Sequence, residues 1–376
     1  MATAMEDVPT ELVVEILLRL PWTSRRRARL VCRSWRDLIY QRTTEMQQCR
    51  DAVPLVVTTK TAYVLDVDDQ DPETSIPRPR PRELWTGHTD VYKHMEVVGV
   101  CNGVLCLCDD AKPGGAITLV NPATSDTLAL PPIPRHGLFR RHNSRRTDRS
   151  WHQAYSFGYH HGTGQYKVVH VPCFFKTKET MQVFTVGEAS WREVPAPNAK
   201  CRLDAGIVSA NGASYWATEG SQEQIMSFDL KSERVKPTKP LPMPARPIGN
   251  LTEVQRRLST ITFGEYMIKV WILESTGKEQ SWIYQYSVNA SLGAEHQLTR
   301  PNFILGEYVL IVGGEGKKLF RWYLHTRYNY KKRSEGDAVH AHYCSQMVSV
   351  PNIRGHICRT FAYIKTAEAL SVYRRW

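Results

Sequence analysis

The chain has 376 residues, of which 42% are hydrophobic and 23% are charged, as expected for globular proteins with a hydrophobic core. This length predicts one large domain and one small one rather than a single ordinary domain. The formal net charge is +12, but arginine is concentrated in residues 25–36 and 135–149, which argues against a uniformly basic surface. The nine cysteines lack the dense spacing of a disulfide scaffold.

Residues 8–20 are predicted to form an amphipathic helix. Their apolar side chains recur at intervals of three and four residues, which places them on one helix face. Thr10 is the predicted N-cap, and Pro21 ends the helix. Glu15 and Arg19 interrupt the apolar run, so the segment is neither a signal peptide nor a membrane anchor. We expect a protein of the cytoplasm, the nucleus or both.

A second helical segment follows Pro21. Thr23 and Ser24 can cap it, and its apolar residues again share one face: Ala28, Val31, Cys32, Trp35, Leu38 and Ile39. The two segments form a unit of about 30 residues, which is too small to fold well alone. The sequence therefore predicts that part of the apolar surface is covered by a partner. A basic helix-turn-helix that reads DNA is the disfavoured alternative, because the asparagine or glutamine that such readers use beside arginine is absent.

Residues 46–93 are predicted to contain a hairpin and a connector. The apolar stretch at 54–67 is typical of a β-hairpin that belongs to the large domain. The stretch at 68–82 is acidic and then alternates proline with arginine. It is predicted to be extended and polyproline-like, either as a linker or as a long surface loop.

Residues 94–376 have the pattern of many short strands separated by turns. Asn102-Gly103 is a strong signal for a tight turn. Three turns repeat one pattern, in which a polar residue is followed three positions later by a hydroxyl: Asn121 and Thr124, His160 and Thr163, Asp229 and Ser232. A loose period of about 40 residues favours a β-propeller over a pair of β-sandwiches. We expect a mainly β protein with a small all-α N-terminal module and six propeller blades.

Two local features have ordinary structural explanations. Cys101, Cys106 and Cys108 lie close together, but no matching cysteine or histidine pair accompanies them as in a zinc site, so we expect buried, unreactive thiols. No motif of a known catalytic site or phosphate-binding loop is present. We therefore predict no catalytic, metal-binding or cofactor-binding residues.

A basic stretch at 135–150 lacks periodicity and is predicted to be a loop between strands. Its arginines are candidates for contact with an acidic substrate or for a nuclear localisation signal; the candidate substrate-binding residues are Arg135, Arg140, Arg141, Arg145 and Arg146. Substrate determinants are expected on surface loops. The candidate loops are 131–150, 172–180, 237–250 and 289–302.

The N-terminal segment "VPTELVVEILLRLPWTSRRRARLVCRSWRDLI" resembles the F-box. The phrases "VVGVCNGVLCL", "LVNPATSDTLALPP" and "YSFGYHHGTGQYKVV" resemble the F-box-associated, kelch-like domain of plant F-box proteins. The corresponding division is an F-box module at 6–45, the hairpin and connector at 46–93, and the propeller-like domain at 94–376.

This resemblance implies a non-catalytic substrate-recognition subunit of an SCF-type cullin–RING ubiquitin ligase. The F-box would dock a Skp-family adaptor, and the β domain would recruit the protein to be ubiquitylated. The positions that match the motif are Val8, Pro9, Leu12, Ile16, Leu20, Pro21, Val31, Cys32, Trp35 and Leu38. The alternative is a propeller-fold enzyme, or a module that binds a glycan or another ligand, with an incidental helical N-terminus. No membrane or nucleic-acid partner is expected.

The chain departs from the family pattern at two positions. Arg25 and Ala28 stand where the family usually has larger apolar residues. Both changes remove apolar area, so we expect weaker adaptor binding, which the arginines offset by attracting an acidic partner.

Overall fold

The computed structural model describes most of the chain. The described residues are 9–20, 24, 28, 31, 32, 34, 35, 38, 52–70, 77–86, 95–134, 151–160, 162–171, 180–196, 201, 202, 206–219, 223–242, 251–254, 256–263, 267–276, 279–289, 300–305, 308–313, 318–326, 342–366 and 369–373.

The N-terminal helix α1 spans Thr10–Arg19. Its N-cap is Pro9, one residue before the predicted Thr10, and the Pro9 carbonyl accepts the amides of Leu12 and Val13. Further along, Ser24, Ala28, Ser34, Trp35 and Leu38 are also helical. Within the described residues, no helix is long and apolar enough to cross a membrane.

The remainder of the described chain is built from strands, which confirms a mainly β protein. In chain order they are β1 (Val53–Thr58), β2 (Thr61–Gln70), β3 (Pro77–Thr86), β4 (Met95–Cys101), β5 (Val104–Asp109), β6 (Ala116–Asn121), β7 (Asp126–Ala129), β8 (Tyr155–His160), β9 (Gln165–His170), β10 (Thr180–Thr185), β11 (Arg192–Pro195), β12 (Ile207–Ala210), β13 (Ala213–Ala217), β14 (Ile225–Asp229), β15 (Arg234–Pro237), β16 (Thr252–Val254), β17 (Arg257–Phe263), β18 (Met267–Thr276), β19 (Glu279–Asn289), β20 (Arg300–Leu305), β21 (Tyr308–Gly313), β22 (Lys318–Thr326), β23 (His342–Val350) and β24 (Ile357–Tyr363).

These strands pair into antiparallel sheets of four. Five sheets use consecutive strands: β4–β7, β8–β11, β12–β15, β16–β19 and β20–β23. The sixth has the order β24-β1-β2-β3, so the last strand of the chain completes the first sheet. The hairpin predicted at 54–67 therefore belongs to the same β architecture as the C-terminal segment.

One edge strand of each sheet lies at the centre, and we call these the inner strands. Neighbouring inner strands contact one another in the circular order β24, β4, β8, β12, β16, β20 and back to β24. We call the side on which these inner strands end the turn face; it carries the turns at 102–103 and 211–212. The opposite side, on which they begin, is the loop face. Val53 pairs with Tyr363, so the chain enters the first sheet from the turn face.

The proline–arginine stretch is not the polyproline-like connector that its composition predicts. It forms β3, the outer strand of the first sheet, and pairs with β2 along its length. Arg80 lies opposite Asp66 in this register, and a cross-strand pair of opposite charge favours the pairing. The prolines are tolerated because an edge strand has one side without a hydrogen-bonding neighbour.

The repeated turn pattern is confirmed in two of its three copies by direct contacts. His160 Nδ1 lies 3.0 Å from the Thr163 hydroxyl. Asp229 Oδ1 accepts the Ser232 amide at 2.6 Å and the Ser232 hydroxyl at 2.9 Å. In the third copy, the Thr124 amide bonds to the Asn121 carbonyl at 3.3 Å. The polar residue that opens each turn satisfies the backbone amides that follow it.

Candidate functional site

The α1 helix has one buried side, which packs within the N-terminal module. Val13 and Leu17 are buried together with Ala28. Half-buried side chains pack against this cluster, namely Leu20, Trp35 and Leu38. The small module therefore has a core of its own that uses part of its apolar surface.

The other side of the module exposes large apolar side chains. Leu12 is 50% exposed, Ile16 is 54% exposed and Val31 is 64% exposed. Leu12 and Ile16 are four positions apart and lie side by side on the helix. Among the described residues, these three account for most of the large hydrophobic side chains that are exposed. The adjacent exposed side chains of Leu12 and Ile16 are the kind of apolar exposure that marks an interaction surface.

The predicted docking residues therefore divide into two groups. Leu12, Ile16 and Val31 are exposed, as are Pro9 and Cys32. Leu20, Trp35 and Leu38 contribute to the module's own core and keep only part of their surface accessible. Val8 and Pro21 lie outside the described residues.

Ala28 has a different role from the one expected. We predicted that its small side chain would remove area from the docking surface, but Ala28 is only 6% exposed and packs against Val13 and Leu17. Its size therefore affects the internal packing of the module. Arg25 lies outside the described residues, as do all the arginines of the predicted basic loop.

A channel runs along the axis between the inner strands. Its loop-face half is an open cavity between β4, β8, β12, β16 and β24, where about 700 Å³ is free of protein atoms, solvent at its mouth included. A second open cavity, at the turn face, shares Val100, Phe157, Ser209 and Glu253 with it. The two cavities therefore adjoin.

Charged side chains lie in and beside the loop-face half of the channel. Arg359 on β24 donates from Nη1 to the Val98 carbonyl on β4 at 3.0 Å. Burial raises the pKa of Glu96, while the nearby charges of His152 and Arg359 oppose this shift. Asp110 accepts His152 Nδ1 at 2.5 Å and the His152 amide at 2.9 Å. Sequence patterns gave no signal for this grouping, because its members come from distant parts of the chain.

The predicted cysteine cluster is a packing feature. Cys106 and Cys108 are fully buried in one hydrophobic cluster, as expected for alternate residues of a strand. Burial raises the pKa of both thiols, which disfavours the reactive thiolate. The described residues contain no group of three or more histidine, cysteine or acidic side chains arranged to hold a metal ion.

Comparison with known families identifies both parts of the chain. Residues 68–310, more than half of the chain, match the F-box associated beta propeller domain. Residues 5–44 match the F-box-like family. The chain is a plant F-box protein.

Individual relatives support this assignment. F-box protein At3g07870 of Arabidopsis thaliana is 24% identical, over 80% of this chain and 77% of its own length. The putative F-box/kelch-repeat protein At3g20710 of Arabidopsis thaliana is 23% identical, over 86% of this chain and 90% of its own length. Among solved structures, TolB from Acinetobacter baumannii matches with a TM-score of 0.46 and 11% identity, over 87% of this chain and 70% of TolB. At this level of similarity the TolB match does not bear on function.

Proposed function

We propose that this F-box protein is the non-catalytic substrate-recognition subunit of an SCF-type cullin–RING ubiquitin ligase. Its helical module docks a Skp-family adaptor, and its β domain recruits the protein to be ubiquitylated. The observation that carries the proposal is the exposure of Leu12, Ile16 and Val31 on a module that has a buried core of its own. Removing such side chains from water on binding contributes about 25 cal/mol per Å² of apolar area.

We further propose that the four-stranded sheets are the blades of one closed, six-bladed propeller. The circular contacts among the inner strands support this arrangement. The pairing of β24 with β1 supplies the closure, because strands from the two ends of the β domain share one blade.

The turn face and the loop face of the propeller would then have different functions. The chain that leads from the helical module joins the first blade at the turn face. The strand ends that flank the candidate loops 131–150, 172–180, 237–250 and 289–302 lie at the loop face. We propose that substrate is recruited at the loop face, where connections between rigid strands provide variable binding residues.

Co-purification of the full-length chain with a Skp-family adaptor tests the docking proposal. The double variant Leu12→Ser, Ile16→Ser should lower adaptor capture by about tenfold or more, because central apolar contacts dominate binding energy. Glu11→Ala is the matched control, since Glu11 is exposed on the same helix, and it should capture adaptor like the wild type. Equal capture by the double variant and the wild type, with both proteins folded, would overturn the proposal.

A further inference from the structure

One guanidinium group reaches across the loop-face half of the axial channel. Arg359 belongs to β24, yet its Nη1 bonds to the Val98 carbonyl of β4. Its Nη2 lies 3.3 Å from the position that a Cβ on Gly206 would occupy, just before β12. The side chain thus approaches two other sheets, including one that stands three places away in the circular order.

Gly206 accommodates this approach. Its φ of +77° lies in the left-handed region that favours glycine. A Cβ at this position would be in tight contact with Arg359. Glycine therefore fits this position beside the guanidinium, both in its backbone conformation and in the space that is available.

Three carboxyl groups lie in or near this part of the channel. Asp110 is already engaged by His152. Glu253 accepts the Arg256 amide at 2.5 Å, and burial raises the pKa of both Glu253 and Glu96. The arginine stays charged at any physiological pH, so its guanidinium is a permanent positive group at which an anionic ligand can bind.

Hydroxyl groups provide further polar contacts in the same cavity. Thr360 lines it and is buried, and its hydroxyl has no hydrogen-bond partner among the described residues. Ser156 and Ser209 also line it, and their hydroxyls lie 2.8 Å apart. A hydroxyl can donate to a carboxylate in addition to accepting a bond.

We propose that the loop-face half of the axial channel binds a carboxylate group of the substrate protein, with Arg359 as the principal contact. A guanidinium offers paired donors that match the two carboxylate oxygens. The cavity is too narrow for a folded domain, so it receives an acidic side chain or a chain terminus. This assignment rests on the proposed role of the propeller as substrate receptor.

Competition binding to the full-length chain, measured both with and without the adaptor, tests the assignment. The probes are random-sequence heptapeptides with free C-terminal carboxyl groups, the same pool amidated, and glutarate beside its neutral diamide. At least one carboxylate probe should bind about tenfold more tightly than its amide twin, because charge-assisted hydrogen bonds are lost in the amide. Preference for the free-terminus pool indicates a chain terminus, while preference for glutarate alone indicates an acidic side chain.

Arg359→Met should remove this preference, and Arg359→Lys should retain only part of it. Arg354→Met is the matched control, because Arg354 is exposed on the loop that precedes β24, and it should preserve the preference. Equal binding of carboxylate and amide probes to the wild type, or an equal loss in Arg354→Met, would overturn the assignment. Adaptor capture in the same samples is a separate readout: its failure would contradict the docking proposal and leave the channel result standing.

Discussion

At the scale of single residues, His170 is held in an environment that opposes its protonation. It is 3% exposed at the end of β9, and its ring centroid lies 4.6 Å from that of Tyr155. Burial lowers its pKa from 6.5 to about 4. The folded protein therefore binds fewer protons than the unfolded chain between these two values, and its stability rises with pH in this window.

We expect acidification from pH 6.5 towards pH 4 to lower the free energy of unfolding through His170, by about 1.4 kcal/mol for each pH unit. The stabilising effect is fully present above pH 6.5 and is lost as the pH falls. His170→Gln should flatten this dependence in denaturant unfolding curves. His356→Gln is the control, because His356 is exposed. An unchanged slope in His170→Gln would contradict the prediction.

Sequence reasoning succeeded best for residues whose role follows from local periodicity. Helical spacing alone placed Leu12 and Ile16 on the face of the N-terminal module, and strand alternation placed Cys106 and Cys108 in one core. Ala28 was misjudged. Helical spacing shows that a residue lies on the apolar face of a helix, but it does not show whether that face packs in the module's core or against a partner. Arg359 was missed because its neighbours Val98 and Gly206 are more than 150 residues away in the chain.

At the scale of single elements, β3 shows how tertiary pairing overrides composition. An alternation of proline and arginine is typical of an extended linker, but in this chain β2 supplies the Asp66 carboxylate, whose Oδ2 accepts Arg82 Nε at 2.8 Å. Pro77, Pro79 and Pro81 alternate along the strand, so the nitrogens that cannot donate all belong to the same edge. The sheet therefore ends in an edge that lacks several of the donors needed for pairing with another strand.

Replacing Pro79 and Pro81 with threonine should restore outward donors and promote self-association. We expect the double variant to form dimers or larger species, because an exposed edge with intact donors is a template for another strand. Light scattering coupled to size-exclusion chromatography would measure the change. Arg80→Thr, which keeps the prolines, should remain in the wild-type state. A monodisperse double variant with the wild-type mass would contradict this interpretation.

At the scale of the whole molecule, the C-terminal segment makes two separate sets of contacts that stabilise the β domain. The β24 strand completes the first sheet. The chain then crosses the turn face, where the Asn121 side chain donates to the Thr366 carbonyl at 3.1 Å. Leu370 is buried in the hydrophobic cluster shared by the second and third sheets. The match to the F-box associated domain ends at residue 310, so these closing contacts lie beyond it.

Two truncations should separate these contributions. Deleting residues 367–376 removes Leu370 from its core site and should cost about 2–5 kcal/mol of unfolding free energy, as for other buried leucines. Deleting residues 351–376 also removes β24 and should abolish cooperative unfolding, because the inner position of the first sheet is left empty. Denaturant titration of both proteins checks the difference. Cooperative unfolding of the longer deletion would show that the other sheets are stable without closure.

The pairing of β1 with β24 also has a consequence for protein synthesis. Some 300 residues separate the two strands, so a ribosome that adds about 5–20 residues each second takes roughly 15–60 s between them. During this interval the N-terminal helices have left the ribosome, while the edge of β1 that pairs with β24 in the folded protein is still unpaired. An adaptor can therefore bind the nascent chain before synthesis of the β domain is complete. The unpaired edge of β1 is the part of the nascent chain that most needs protection by chaperones.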